Sequence, residues 1–176
     1  MLKIRRIDAA HCQDIHLPNE PFAVWGRLIP SCIDAQWRYR IDRFPESETG
    51  EMCFPDEDYD DEAMQQSSVF LGAYDGEQCI GLAIMQDAMF KHMYLYDLKV
   101  CRAYRRAGVA SALMREAKQL ALEKGYRGVY TIAQDNNLSA CLFYLHCGFC
   151  IGGFDSHVYH GSNQEGKADV IFYWDA

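Results

Sequence analysis

Leu98-Lys99-Val100-Cys101-Arg102-Ala103-Tyr104-Arg105-Arg106-Ala107-Gly108-Val109-Ala110, running on to Lys124, is the stretch that decides the fold. A strand over 93–100 delivers the chain to a glycine-containing turn, and a helix follows over 108–124. Val109, Ala110, Leu113, Met114, Ala117, Leu120 and Ala121 form one apolar stripe of that helix, with Arg115, Lys118, Gln119 and Glu123 opposite. Gly125 supplies the stop. Successive backbone N–H groups at the start of such a helix face outward and carry partial positive charge, which makes the turn a cradle for anions. From Lys99 to Arg115 there are five bases (99, 102, 105, 106 and 115) and no acid, so the local field suits a phosphate-rich ligand.

Upstream, 2–7 alternates as a short strand, and Asp8 can cap a helix over 9–17 that Pro18 ends. Residues 22–29 and 36–44 read as strands, the second with Trp37, Tyr39 and Ile41 on one side. Between Glu46 and Glu62 lie nine acids and no base, an insert that reads as exposed loop or mobile helix. Strands over 69–74 and 78–85 join through Asp75-Gly76, a dipeptide suited to a tight hairpin turn. Downstream, a strand over 128–134, a short helix over 137–147 closed by Gly148, and strands over 149–155 and 170–174 complete a mixed α/β sheet in a single domain, 1–176.

With 176 residues, 49% of them hydrophobic, the chain can fill one core. A formal charge of −8 argues against tracking a nucleic-acid backbone. No apolar run approaches a membrane span, and the first residues lack a signal-peptide core, so a cytoplasmic protein with no membrane partner is expected. The eight cysteines are scattered and read as reduced thiols. Cys147-Gly148-Phe149-Cys150 has redox spacing but follows a helical run, where a thioredoxin-type pair would precede one. His11, Cys12 and His16, and separately His157 and His160, lack further ligands nearby, so no metal is expected.

Arg105-x-x-Gly108-x-Ala110 resembles the acetyl-CoA pyrophosphate loop of the GCN5-related N-acetyltransferase (GNAT) superfamily. Asn137-x-x-Ala140-x-x-x-Tyr144-x-x-x-Gly148-Phe149 resembles the second motif of that superfamily, in register downstream. Pro18 to Phe22, the strand around Trp37, the acidic stretch, Gln134-Asp135-Asn136-Asn137 and the ending from Cys147 to Asp155 extend the resemblance to the streptothricin acetyltransferase group, over most of the chain. That resemblance implies a mostly antiparallel sheet flanked by helices, with a V-shaped split at the acetyl-CoA site. It also implies acetyl-CoA as cosubstrate, no metal, and acetylation of an amine on the β-lysyl arm of streptothricin. The apolar strand 170–174 suits a homodimer, since family members often pair there.

Residue roles follow from the same resemblance. The amides of Arg106, Ala107, Gly108, Val109, Ala110 and Ser111 would surround the pyrophosphate, with Arg105 and Arg106 as counter-charges, while the strand edge at Leu98, Lys99 and Val100 and the side chain of Asn137 would hold the pantetheine arm. Tyr144, two turns after Asn137 on the same helical face, would be the general acid; core packing beside Phe143 and Phe149 is the alternative. A lysine-like amine has a reference pKa of about 10.4, so a base must take its proton. Tyr96, relaying through water, or Asp97 would serve, with Tyr94 nearby and Asp56, Glu57 and Asp58 drawing in a cationic substrate.

Alternation puts Tyr94, Tyr96, Leu98 and Val100 on one strand face and Leu95, Asp97 and Lys99 on the other, unless a bulge intervenes. The streptothricin group usually carries Glu where this chain has Tyr96 and again where it has Ile132. Those departures keep open another acceptor, such as a polyamine, a protein lysine or an N-terminus. A non-catalytic acyl-CoA-binding module is the reading from outside enzymology.

Overall fold

The computed structural model describes residues 1–59 and 61–176. In chain order its elements are β1 (Leu2–Arg6), β2 (Phe22–Val24), β3 (Gly26–Ile33), β4 (Gln36–Arg43), β5 (Gly50–Met52), α1 (Asp61–Ser67), β6 (Ser68–Asp75), β7 (Gln78–Gln86), β8 (His92–Val100), α2 (Val109–Glu123), β9 (Gly128–Gln134), α3 (Leu138–His146), β10 (Cys150–Asp155) and β11 (Asp169–Asp175). Short 3₁₀ segments span Ala9–His16, Glu46–Glu48 and Arg102–Tyr104. The mixed α/β class with a mostly antiparallel sheet agrees with the sequence reading. The backbone gathers into two compact units: residues 1–20, 53–129 and 176 in the first, and residues 21–52 and 130–175 in the second.

In the first unit β1, β6, β7 and β8 lie side by side in that order, all antiparallel. The β6–β7 turn closes with Asp75 opposite Gln78, and Gly76 takes the positive φ of 62° that the turn requires. Helix α2 covers one sheet face, burying Val109, Ala112, Leu113, Met114, Ala117, Leu120 and Ala121. The stripe is therefore as expected except at its start, where Ala112 is buried and Ala110 only half-buried. A Cβ on Gly81 would stand 3.0 Å from Val109 Cγ1 and 3.2 Å from Leu113 Cδ1, so glycine sets how closely α2 seats on β7. Gly125 at φ 83° ends α2 in a Schellman motif, with Tyr126 N–H donating to Ala121 and Gly125 N–H to Leu122.

On the opposite face Ile15, Phe70, Leu82 and Ile84 form a core cluster joined by Ile7, Leu17, Tyr59 and Met64. The expected helix over 9–17 is a 3₁₀ segment instead, with non-helical angles at His11. Asp8 still caps it, accepting from Ala10 N–H at 3.1 Å.

In the second unit β10 and β11 pair antiparallel, and β11 lies between β9 and β10. The strand expected over 22–29 is broken at Trp25, giving β2, which pairs with β5, and β3, which pairs with β4. The β3–β4 hairpin turns on Asp34 and Ala35, both at positive φ. Helix α3 begins at Asn137, whose side chain caps Ala140 N–H at 3.3 Å, and a Cβ on Gly26 would meet Leu138 at 3.0 Å. The apolar strand 170–174 is not an exposed one: Val170 and Phe172 are fully buried, Phe172 with its ring 5.6 Å from that of Tyr144.

Candidate active site

Asp97, Lys99 and the residues before them owe their facing to one irregularity. Ile84 pairs with Asp97, yet its neighbour Met85 pairs with Leu95, so Tyr96 is an extra residue with no opposite number on β7. Cross-strand partners share a face. Asp97 and Lys99, opposite Ile84 and Leu82, therefore lie on the Ile15 side, whereas Leu95 and Leu98, opposite Met85 and Ala83, lie on the other face. Simple alternation had placed Leu95 with Asp97 and Lys99; the bulge separates them.

On the Ile15 side the ammonium of Lys99 is almost wholly buried and meets three acceptors from three segments. These are Glu57 Oε2 at 2.5 Å, Asp97 Oδ2 at 3.2 Å and the Leu17 carbonyl at 3.3 Å. Tyr59 donates from its hydroxyl to Asp97 Oδ2 at 3.2 Å. Asn19 ties the same segment down, its backbone N–H to Asp56 at 2.5 Å and its amide to the Pro55 carbonyl at 2.8 Å and to Glu57 at 3.2 Å. Asp58 is exposed, and Asp60 of the acidic stretch lies outside the described residues.

Burial raises the Asp97 pKa above the ordinary carboxylate value; the Lys99 charge opposes that and the Glu57 charge adds to it. Glu57 itself is also pushed up by burial, but hydrogen bonds from Lys99 and Asn19 outweigh this and leave its pKa lowered. Lys99, which burial would discharge, is held protonated by Asp97 and Glu57. Burial first, then the charges of Asp97 and Glu57, keep the Tyr59 hydroxyl protonated.

Around this cluster the rings of Tyr94 and Tyr96 meet at 5.8 Å, Tyr96 and Tyr59 at 6.2 Å, and Tyr59 and His16 at 6.3 Å. Tyr96 is 41% exposed. Carboxylates ringed by aromatic faces suit a cationic amine. The structure thus brings together Tyr94, Tyr96, Asp97 and Glu57. It adds Tyr59, Asn19 and His16, which sequence reasoning did not assign; Asn19 lies in the quoted Pro18 to Phe22 segment but carried no role.

At the end of β8 the loop 101–108 has its own geometry. Arg106 takes φ 65° and Gly108, the residue before α2, φ 82°, with no side-chain cap on the helix. The first intrahelical bond runs from Ala112 N–H to the Gly108 carbonyl. The amides of Val109, Ala110 and Ser111 therefore lie in the turn that has no intrahelical acceptors. A Cβ on Gly108 would meet nothing within 4 Å, so open space adjoins the cradle. Arg106, Ala107 and Gly108 are exposed, while Val109 is buried and contributes backbone only.

Two of the five bases are committed elsewhere. Lys99 belongs to the carboxylate cluster. Arg105 braces the loop, donating to the Val100 carbonyl at 3.1 Å and the Glu20 carbonyl at 3.2 Å. The Glu20 carboxylate accepts from Arg102 N–H and lies 3.9 Å from Arg105, a second brace that the sequence left unassigned.

In the second unit Tyr144 is buried, its ring 5.6 Å from Phe172 and Phe143 and 5.7 Å from Phe149. Gly148 at φ 84° closes α3, Phe149 N–H donating to the Tyr144 carbonyl. This is the same Schellman arrangement as in α2, and its apolar contact fixes the Tyr144 ring. Asn137 spends its side-chain oxygen on the helix cap, leaving its amide hydrogens to donate to a ligand. Ile132 is 39% exposed on β9. Among the described residues no group of three or more His, Cys, Asp or Glu could hold a metal, and no helix is long and apolar enough to cross a membrane.

Comparison with known proteins fits this geometry. The chain is 31% identical over 173 residues, 97% of each sequence, to streptothricin acetyltransferase A of Bacillus subtilis (strain 168). Its fold matches a crystal structure of a candidate streptothricin acetyltransferase from Bacillus anthracis str. Ames, solved in complex with acetyl coenzyme A. The TM-score is 0.88 at 28% identity, covering 100% of both chains. A nourseothricin acetyltransferase structure, at 20% identity and TM-score 0.80 over 99% of this chain and 98% of the other, shares the fold. The family model described as Acetyltransferase (GNAT) family matches residues 31–149, and the chain belongs to that family.

Proposed function

We propose that the protein transfers an acetyl group from acetyl-CoA to a primary amine of a small cationic molecule, by direct attack in a ternary complex. The β-lysyl amine of streptothricin is the first candidate acceptor. One observation carries this reading: a single strand, β8, bears an acidic, tyrosine-ringed cluster on one face and runs into an anion-facing turn at its end. A cation and a polyanion can thus both be recognised from the same element. The similarity to streptothricin acetyltransferase A over 97% of the chain supports the choice of acceptor.

Acetyl-CoA fits the residues present. The turn from Arg106 to Ser111 offers outward amides beside open space at Gly108, and Leu98, Lys99 and Val100 offer strand backbone to the pantetheine amides. Bound there, the coenzyme supplies an activated acetyl thioester. Asp97 takes a proton from the acceptor ammonium; burial makes it a stronger base than an exposed carboxylate, and Tyr59 fixes its orientation. Tyr96 lines the approach and can relay that proton through water. Tyr144 offers its phenol proton as general acid, its ring held by Phe143, Phe149 and Phe172. Positioning of this kind supplies on the order of 7–11 kcal/mol at best.

Incubation with acetyl-CoA and streptothricin, followed by mass measurement, tests the reading; a gain of one acetyl group is expected. Unmodified antibiotic at high enzyme concentration rules out that acceptor. Tyr96 and Ile132, standing where the streptothricin group usually carries Glu, favour a second reading in which a polyamine, a protein lysine or an N-terminus is acetylated. An amine panel separates the two.

A further inference from the structure

We propose that Lys99 is a positioning residue for the acceptor side of the reaction: its ammonium, shared between Glu57 and Asp97, holds the Asp97 carboxylate ionised so that it can take the acceptor's proton. This rests on the acetyltransferase reading above. Lys99 stands two residues after Asp97 in regular register, so both side chains lie on the Ile15 face of the strand, away from α2. There its three N–H donors are matched by the Leu17 carbonyl, Glu57 and Asp97. Two carboxylates share one ammonium, so the cluster keeps one net negative charge, enough for a single acceptor ammonium. Tyr59 and Lys99 both reach Asp97 Oδ2, which leaves Oδ1 to receive the proton. In that transfer the ammonium becomes a neutral amine, the carboxylate becomes the acid, and the proton then passes to solvent.

The groups facing Asp97 are Lys99 and Tyr96 from β8, and Glu57 and Tyr59 from the segment crossing it, with His16 beyond the Tyr59 ring. Lys99 and Glu57 act on Asp97 with opposite sign. A mere tie between segments would act otherwise: loosening it from either end would disturb Asp97 in one direction.

The experiment measures kcat/KM against pH, with the amine that the wild type acetylates, for wild type, Glu57→Gln and Lys99→Met. In parallel the Asp97 carboxyl is titrated by carbon NMR without acceptor. Glu57→Gln should move the acid-side midpoint down and Lys99→Met should move it up, each by about half a pH unit or more, roughly threefold in the ionised-to-protonated ratio. The NMR midpoint should move with it. Shifts of both variants in one direction, or an unmoved midpoint in Glu57→Gln, overturn the proposal, and Glu57→Gln decides alone if Lys99→Met does not fold. If the wild type acetylates no amine in the panel, the acetyltransferase reading fails; the NMR arm still reports, and an Asp97 titration indifferent to Glu57→Gln overturns the role of Lys99 by itself.

Discussion

Replacing Gly108 by alanine separates the two demands that the turn before α2 makes on its sequence. Gly108 sits at φ 82° and ψ 3°, and an added Cβ meets no heavy atom within 4 Å. No clash therefore contributes, and the cost to folding is that of holding an L-residue in left-handed backbone, roughly 1–2 kcal/mol. At about 2–4 °C per kcal/mol for a chain of this length, the melting temperature should fall by roughly 2–8 °C. Acetyl-CoA should suffer separately, because the new methyl stands in the open space beside the outward amides. A tenfold loss of affinity, about 1.4 kcal/mol, is expected. Gly108→Asn is the control: asparagine tolerates left-handed backbone and caps helices, so stability should recover while coenzyme binding stays weak. Thermal melts with and without acetyl-CoA, together with titration calorimetry, give both quantities. An alanine variant that melts with the wild type, or binds acetyl-CoA as tightly, would refute the reasoning.

Tyr144→Phe removes one hydroxyl from a ring held by three phenylalanines, and should lower kcat by about 10²–10⁴ while calorimetry finds coenzyme affinity unchanged. Glu20→Ala deprives Arg102 N–H of its carboxylate and Arg105 of a charge partner. Such bonds are worth about 1.5–3 kcal/mol, so faster hydrogen exchange at Arg102 and weaker acetyl-CoA binding are expected; an unchanged exchange rate counts against the brace. Asp135 is buried, and burial raises its pKa above the ordinary 3.8. The folded state thus binds its proton more tightly than the unfolded chain, and stability falls as pH rises through the folded value. Asp135→Asn removes that dependence, so relative to wild type it should be more stable at pH 7 than at pH 4 in urea melts; the reverse ordering contradicts the assignment.

Much of the framework could be read from the chain because local chemistry and tertiary structure agree there. Gly76, Gly125 and Gly148 each take the positive φ that their place after a strand or helix requires, and the α2 stripe is buried nearly as its period predicts. The failures have physical causes. Asp34 and Ala35 turn the β3–β4 hairpin although alanine rarely enters left-handed backbone, so no glycine flagged the corner. Residues 9–16 carry an apolar pattern and a cap, but tertiary packing of Ile15 sets their final geometry. At the site, the motif residues were legible because their spacing is local. Lys99 was grouped with the phosphate-side bases, since nothing local reveals that its ammonium meets Glu57 and the Leu17 carbonyl, 42 and 82 positions away. Tyr59 and Glu20 act through partners 38 and 82 positions away, a separation that periodicity does not reach.

The unpaired position on β8 bears on how such an enzyme could change its acceptor over generations. Because Tyr96 has no counterpart on β7 and is 41% exposed, the ladder on either side keeps its register whatever side chain stands there. Substitution at this point is cheap for folding yet lands beside Tyr59, the partner of Asp97, so the scaffold leaves one letter open to drift. Of the two positions where the resemblance leads one to expect Glu, Tyr96 occupies that letter, where architecture offers least resistance.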